Sequence, residues 1–192
     1  PRKRTAAKRT STKRTTTKKN SHANLARRDT SARPRRREVF VFQFALEKAD
    51  TVLVITHVDP DGDAIGSLTA TGQALEQLGK RVTLACQDSV PVRFRELPLA
   101  DRVIKTPDTN APYDLLVVVD CGDETRMGRP FFSLPDPKPT IANIDHHITN
   151  TRFGSFNLIE PHASSTAEML YGLFVELDVT ITEGIAKSLL TG

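Results

Sequence analysis

The chain has 192 residues, of which 38% are hydrophobic and 26% charged, and its formal net charge is +4. No apolar run reaches the roughly 20 residues that a membrane-spanning helix needs, which argues against such a helix. The only cysteines, Cys86 and Cys121, are too few for a metal site built of cysteine pairs, and both adjoin predicted strands, so we expect reduced thiols and a cytoplasmic location.

Residues 1–38 differ in composition from the rest of the chain. They contain 15 Lys and Arg residues against two acidic ones, a charge of +13, whereas the remaining 154 residues carry −9. A Lys-Arg-Thr triplet occurs three times at a five-residue step, and Leu25 is the only large apolar side chain. Because this segment cannot bury enough apolar surface to fold, we predict a disordered tail over 1–38 and one folded domain over 39–192.

The function of the tail has two interpretations. A repeated cationic segment neutralises phosphates and gains affinity by releasing counterions, whatever the base sequence. Without aromatic residues for stacking, such binding should be non-specific and sensitive to salt. The alternative, which the composition supports equally well, is a solvated extension without a binding function. The candidate nucleic-acid contacts are Lys3, Arg4, Lys8, Arg9, Lys13, Arg14, Lys18 and Lys19.

Strands and helices are predicted to alternate from residue 39 onward, which favours an α/β fold with a mainly parallel sheet flanked by helices. Residues 39–48 are ambiguous, because alternating Phe residues suit a strand whereas the end of the segment favours a helix. Ser165 and Glu168 form a capping-box pattern, and the Pro-rich segment 129–139 is predicted to be a loop. The predicted strands are 51–56, 81–86, 115–119 and 140–144, and the predicted helices are 64–78, 165–177 and one beginning near residue 182.

The turn after the first predicted strand concentrates one imidazole and three carboxylates. His57 is followed by Asp59, Asp61 and Asp63, and like charges so close together repel each other. A divalent cation would remove that cost, and a neutral histidine can join carboxylates as a ligand. Asp63 also stands at the N-cap position of the predicted helix 64–78. The metal site is favoured over the alternative, an Asx-rich turn without a bound ion.

Two other kinds of aspartate site fit this turn less well. An EF-hand loop counted from Asp59 needs Gly at its sixth position and Glu at its twelfth, where this chain has Ala64 and Ala70. A phosphoaspartate phosphatase would have its nucleophilic Asp directly after the strand, where His57 stands. The sequence therefore excludes the EF-hand and disfavours the phosphatase.

Two more predicted strands end in the same residue types. Asp120 follows one of them, and Asp145, His146 and His147 end or follow the next. Because the carboxyl ends of parallel strands meet at one edge of a sheet, we expect these side chains to lie close to His57. Each group alone has a structural explanation, such as a turn aspartate or a surface histidine, but three together indicate a metal site. Histidine and aspartate without cysteine suit Mn²⁺, Mg²⁺ or Zn²⁺.

The three groups resemble, in order, the first three motifs of the DHH phosphoesterase family. Segments 60–67 and 163–168 are similar to the branch that contains oligoribonucleases and 3′-phosphoadenosine-5′-phosphate phosphatases. The resemblance extends over residues 40–192 and is specific, because three separated motifs agree. The matching motifs are His57-x-x-x-Asp61-x-Asp63, the strand-end Asp120, and Asp145-His146-His147.

The resemblance implies a two-metal phosphoesterase that is usually manganese-dependent. By position, His57 and Asp61 would hold the first metal, and Asp63 and His146 the second. Asp120 would bridge the two. Two cations about 3.5–4 Å apart can activate a water and stabilise the leaving oxygen of an in-line displacement.

The family resemblance also implies roles for the rest of the triplet. His147 would contact the substrate phosphate, and Asp145 would orient the histidine pair. Asp59 has no required role in the family pattern, and we expect it to lie on the solvent side or to support a ligand from behind.

Family members have a fourth motif, an Asp in a Gly/Thr-rich turn after the third helix, and a second domain that grips the substrate. The present sequence ends at residue 192, where the fourth motif is expected to follow. From the resemblance we therefore expect a truncated chain with an incomplete second metal shell and impaired activity.

The leading hypothesis is a metal-dependent phosphoesterase that acts on short oligonucleotides or nucleoside 3′,5′-bisphosphates. The enzyme alternatives are a soluble inorganic pyrophosphatase of the same superfamily and, less favoured, a cyclic-dinucleotide phosphodiesterase. The non-enzyme alternative is a nucleic-acid-binding protein that acts through its basic tail. The expected cofactors are two divalent metal ions, with Mn²⁺ favoured over Mg²⁺ and Zn²⁺, and the oligomeric state stays open.

Overall fold

The computed structural model describes residues 36–192, so the predicted contacts of the basic tail lie outside the described residues. No helix within 36–192 is long and apolar enough to cross a membrane. The elements are α1 (Arg36–Lys48), β1 (Thr51–Ile55), α2 (Gly62–Gln77), β2 (Arg81–Ala85), β3 (Val103–Ile104), β4 (Leu115–Val119), α3 (Arg129–Phe132), β5 (Thr140–Asp145), β6 (Phe156–Ile159), α4 (Thr166–Glu176) and α5 (Glu183–Leu189).

The six strands form one parallel sheet in the order β3-β2-β1-β4-β5-β6, which confirms the predicted α/β class. Strands β1, β2 and β3 follow one another toward one edge of the sheet. The chain then returns to the other side of β1, where β4, β5 and β6 follow one another toward the opposite edge. In open α/β sheets, ligands bind at the carboxyl ends of the strands where the order reverses in this way. Those ends carry His57 after β1 and Asp120 after β4.

Both faces of the central strands are buried, which explains their unbroken apolar sequences. In β1, Val52 and Val54 face a core shared with α1, α2, α4 and α5, whereas Leu53 and Ile55 face a second core. The second core includes Met127 and other apolar residues from the segment around α3. The carboxyl edge of β1 and β4 is therefore held rigidly between two packed layers.

The structure decides one open local prediction and corrects two others. The ambiguous segment 39–48 is helical, within α1. The N-cap of α2 is Asp61, whose Oδ1 accepts a hydrogen bond from the backbone N–H of Ala64 at 3.0 Å, so the N-cap prediction for Asp63 is wrong. The segment 129–139 contains the short helix α3 and is not a loop throughout.

The capping-box prediction for α4 is confirmed, with one displacement. The Ser165 hydroxyl accepts a hydrogen bond from the Glu168 N–H at 3.1 Å. The Glu168 carboxylate accepts in return from the N–H of Ser164 at 2.7 Å, one residue before the cap. This network fixes where α4 begins, and therefore where its first free N–H groups point.

Candidate metal centre

All seven predicted metal and phosphate residues of the folded part lie together at the carboxyl edge of the sheet. β1 leads to His57, the N-terminus of α2 supplies two carboxylates, β4 leads to Asp120, and β5 ends in the triplet. The seven residues are His57, Asp61, Asp63, Asp120, Asp145, His146 and His147.

One group of candidate ligands joins the ends of β1 and β4. His57, Asp61 and Asp120 each offer one ligand atom, and these three atoms lie within 4.8 Å of one another. Nε2 of His57 is 3.5 Å from Oδ2 of Asp120, and both side chains are almost completely buried. Asp61 is exposed and opens this group to solvent.

A second group joins the ends of β4 and β5. Ligand atoms of Asp120, His146 and His147 lie within 4.8 Å of one another, so Asp120 belongs to both groups. Nε2 of His146 is 3.9 Å from Asp120 Oδ1 and 3.7 Å from Oδ2 of Asp63. Asp63 therefore approaches this group through His146.

The orientation of the His57 and His146 imidazoles fits a metal centre. Nδ1 of His57 lies 2.7 Å from the carbonyl oxygen of Val58, and Nδ1 of His146 lies 3.3 Å from that of Ala163. Because a carbonyl can only accept, each Nδ1 carries a hydrogen, and each Nε2 is the nitrogen that faces the carboxylates. An imidazole whose other nitrogen donates to a carbonyl or carboxylate is the usual arrangement of a metal-ligating histidine.

The separations between donor atoms also fit a shared ion. The imidazole–carboxylate distances of 3.5 to 3.9 Å are longer than hydrogen bonds. They match the spacing of about 3–4 Å expected for two donors that each lie about 2 Å from one ion. The set contains imidazole and carboxylate without thiolate, which suits Mn²⁺, Mg²⁺ or Zn²⁺.

His147 is oriented by a buried carboxylate. Its Nδ1 lies 2.6 Å from Oδ1 of Asp145, which is fully buried, and the amide of Asn150 donates to Asp145 Oδ2 at 2.6 Å. The pairing fixes the ring with Nε2 as its free nitrogen, on a side chain that is 37% exposed.

The N-terminus of α4 holds two of the carboxylates. The backbone N–H of Thr166 donates to Asp63 Oδ2 at 2.8 Å, and that of Ala167 donates to Asp63 Oδ1 at 2.9 Å. The hydroxyl of Thr166, a fully buried residue, donates to Asp120 Oδ1 at 2.9 Å. The positive end of the helix dipole therefore faces both carboxylates.

Comparison with known proteins assigns the family. Residues 51–192 match the DHH family, N-terminal domain. The chain belongs to the DHH family. This confirms the resemblance that the three motifs indicated, over most of the folded part.

Two curated relatives of this DHH chain carry the same name, bifunctional oligoribonuclease and PAP phosphatase NrnA. The chain is 38% identical over 144 residues to the protein from Thermus thermophilus and 26% identical over 129 residues to that from Bacillus subtilis. The matches cover 73% and 66% of this chain but 41% and 39% of the relatives. The DHH chain thus spans about two-fifths of the length of these relatives.

A solved structure supports the fold of the DHH chain. An exopolyphosphatase-related protein from Bacteroides fragilis superposes with a TM-score of 0.74 at 22% sequence identity. The superposition covers 83% of this chain and 49% of that protein. At this identity the likeness bears on the fold alone.

The pKa values of Asp120 and Asp63 in the DHH centre shift in opposite directions. Burial alone would raise the pKa of Asp120, but the close approach of His57, the Thr166 hydroxyl and the charge of His147 outweigh it and hold that pKa below its ordinary value. Burial and the charge of Asp120 raise the pKa of Asp63, although two N–H groups of α4 oppose the rise. Asp120 is therefore the more firmly ionised of the pair.

Sequence reasoning missed three residues of this DHH centre. Thr166 and Asn150 hold ligand or triplet carboxylates, and Arg126 places its guanidinium Nη2 3.1 Å from Nδ1 of His57. A weak signal existed for Thr166, which lies in the family-like segment 163–168. Of the two positions expected for Asp59, the structure shows the solvent side: the residue is exposed, and its N–H donates to Asp88.

Thr166→Val is expected to weaken Mn²⁺ binding by about 10-fold, because loss of a residue that orients a ligand costs about 10- to 100-fold in metal affinity. Valine keeps the shape and the N–H that donates to Asp63, and removes only the hydroxyl bond to Asp120. Thr166→Ser keeps that hydroxyl and serves as the matched control. Calorimetric titration with Mn²⁺ measures both variants, and equal affinity in wild type and Thr166→Val would show that the hydroxyl has no such role.

Proposed function

We propose that this DHH domain is the metal-binding part of a phosphoesterase that hydrolyses short oligonucleotides or nucleoside 3′,5′-bisphosphates. The observation that carries the proposal is the convergence of imidazoles and carboxylates from three strand ends at the point where the strand order reverses. The names of the two curated relatives support the substrate class.

The proposed ligands divide between two divalent ions, with Mn²⁺ the favoured metal. His57 and Asp61 would hold one ion, Asp63 and His146 the other, and Asp120 both. The bound ions would supply positive charge to the phosphate oxygens and lower the pKa of a water. The helix α4 and the two backbone carbonyls that accept from the imidazoles keep these side chains in place.

In addition to the metal ions, we propose that the side chain of His147 contacts the substrate phosphate. Its Nδ1 is occupied by Asp145, so Nε2 is the nitrogen that can reach a bound phosphate. Asp145 is fully buried and acts only through the ring that it orients.

The proposal predicts that the chain takes up Mn²⁺ and releases phosphate from 3′-phosphoadenosine-5′-phosphate or mononucleotides from a short oligoribonucleotide, more slowly than the relatives of which it spans about two-fifths. Chelation should abolish the reaction, and added Mn²⁺ should restore it. Asp59→Asn is the matched control, because it removes a neighbouring carboxylate that has no proposed ligand role and asparagine tolerates the positive φ of 53° at this position. Absence of Mn²⁺ uptake in calorimetry, or hydrolysis that persists unchanged after chelation, would contradict the proposal.

A further inference from the structure

Arg126 lies beside the candidate metal centre but has no part in the function proposed above. Its Nη2 is 3.1 Å from His57 Nδ1 and 3.5 Å from the carbonyl oxygen of Val58, and the side chain is exposed. Because His57 Nδ1 carries a hydrogen and donates it to Val58, it cannot also accept one from the guanidinium. Arg126 therefore does not hold the imidazole by a hydrogen bond.

The backbone of Arg126 is firmly anchored to the loop that carries His57. The Val58 N–H donates to the carbonyl oxygen of Arg126 at 2.9 Å. Asp123 caps the short turn Glu124–Met127 by accepting from the Thr125 N–H at 2.8 Å, and Met127 is fully buried. The backbone from which the Arg126 side chain extends is therefore fixed at the rim of the candidate metal centre.

The charge of Arg126 has no partner within residues 36–192. No carboxylate of the described part lies within 4.0 Å of the guanidinium, and its only polar neighbours at hydrogen-bond distance there are Nδ1 of His57 and the carbonyl oxygen of Val58, both near Nη2. Arg102, in contrast, pairs with Glu76 at 2.7 Å. Nε and Nη1 of Arg126 thus keep donors for a ligand.

A phosphate is the ligand that these donors suit. The planar guanidinium presents parallel N–H groups that match two oxygens of one phosphate, and such charge-assisted pairs are stronger than neutral hydrogen bonds. The strand order β1-β4-β5 places Asp120 between His57, with its neighbour Arg126, and His147. A phosphate near Asp120 would therefore have His147 on one side and, on the other, His57 with the exposed Arg126 guanidinium at its Nδ1 edge.

We propose that Arg126 binds the phosphate group of the substrate at this centre, opposite His147. The inference rests on the proposed function and adds to it a side chain that touches the substrate. Arg126 would then determine substrate affinity, because its guanidinium pairs directly with the bound phosphate. This ion pair does not involve the metal ligands.

The test compares Arg126→Gln and Arg126→Lys with the matched control Arg129→Gln, which removes a neighbouring exposed arginine. Arg126→Gln should raise KM, and the inhibition constant of inorganic phosphate, by about 10- to 100-fold, the loss expected for a charge-assisted hydrogen bond. Arg126→Lys should fall between, because an ammonium keeps the charge without the paired geometry. Arg129→Gln should match wild type, and Mn²⁺ affinity should stay within about 2-fold in all three variants.

Two outcomes would overturn the inference while leaving the proposed function intact. The first is a wild-type KM and phosphate inhibition constant in Arg126→Gln. The second is a loss of Mn²⁺ affinity in Arg126→Gln that accounts for its kinetic defect, which would assign Arg126 to positioning His57. If the wild type shows no Mn²⁺-dependent hydrolysis, the proposed function fails. Direct titration with inorganic phosphate in Mn²⁺ buffer then still decides the inference, which is overturned by equal affinity in wild type and Arg126→Gln.

Discussion

Asp120→Asn is expected to abolish measurable Mn²⁺ binding and, with it, hydrolysis. Asp120 is the only side chain that belongs to both groups of candidate ligands within residues 36–192, so its loss affects both proposed ions. Its pKa is held below the ordinary value despite burial, so the wild-type carboxylate is ionised at neutral pH and ready to bind a cation. Asparagine removes that charge at nearly constant volume.

The effect should exceed the roughly 10- to 100-fold loss typical of residues that only orient a ligand. Asparagine retains an oxygen that can accept the hydroxyl bond of Thr166, so the variant should fold. Calorimetric titration with Mn²⁺, beside thermal unfolding of the metal-free proteins, separates the two effects. Wild-type Mn²⁺ affinity in a folded Asp120→Asn would remove the bridging carboxylate from the proposal, whereas Asp59→Asn should bind as wild type does.

The parts of the fold that sequence predicts are those with long, uniform patterns. β1 and β4 are unbroken apolar runs because both of their faces are buried, and the periodic spacing in α2 and α4 follows from one buried face. The edge strands β3 and β6 have only two and four residues, too few for a periodic pattern, and were not predicted. The cap of α2 was assigned to Asp63 instead of Asp61 because aspartates two residues apart fit the same pattern.

The candidate site also has a part that the sequence predicts and a part that it does not. The convergence of the strand-end clusters was predictable, because parallel strands bring their carboxyl ends to one edge whatever the side chains do. The supporting residues were not, because their roles depend on side-chain contacts between distant segments. Thr166 reaches Asp120 across 46 residues of chain, and Arg126 reaches His57 across 69. No local spacing records such contacts.

Asp63 has a structural contact and a proposed metal contact, and stability measured with and without Mn²⁺ can distinguish their contributions. Its carboxylate accepts from two N–H groups of α4, which joins α2 to α4, and from the Ser67 hydroxyl within α2 at 3.2 Å. Burial and the charge of Asp120 nevertheless raise its pKa, which means that its ionised form is disfavoured in the metal-free fold. A bound cation would reverse that balance.

Asp63→Ala is therefore expected to have a small effect without metal and a large one with it. In chelator, the loss of a helix cap, worth about 0.5–2 kcal/mol, is offset by relief of the unfavourable buried charge, so the free energy of unfolding should change by about 1 kcal/mol or less. In Mn²⁺ at about 100 times the dissociation constant, wild type should gain about 2.7 kcal/mol and the variant should lose most of that gain.

Urea unfolding of wild type, Asp63→Ala and Asp59→Asn, each in chelator and in Mn²⁺, measures both quantities in one design. Asp59→Asn should keep the full stabilisation by Mn²⁺, since the exposed Asp59 lies in the same turn without a proposed ligand role. An equal gain in wild type and Asp63→Ala would show that Asp63 binds no ion. A loss of about 3 kcal/mol or more already in chelator would instead assign this carboxylate to holding α4, because capping alone is worth less than that.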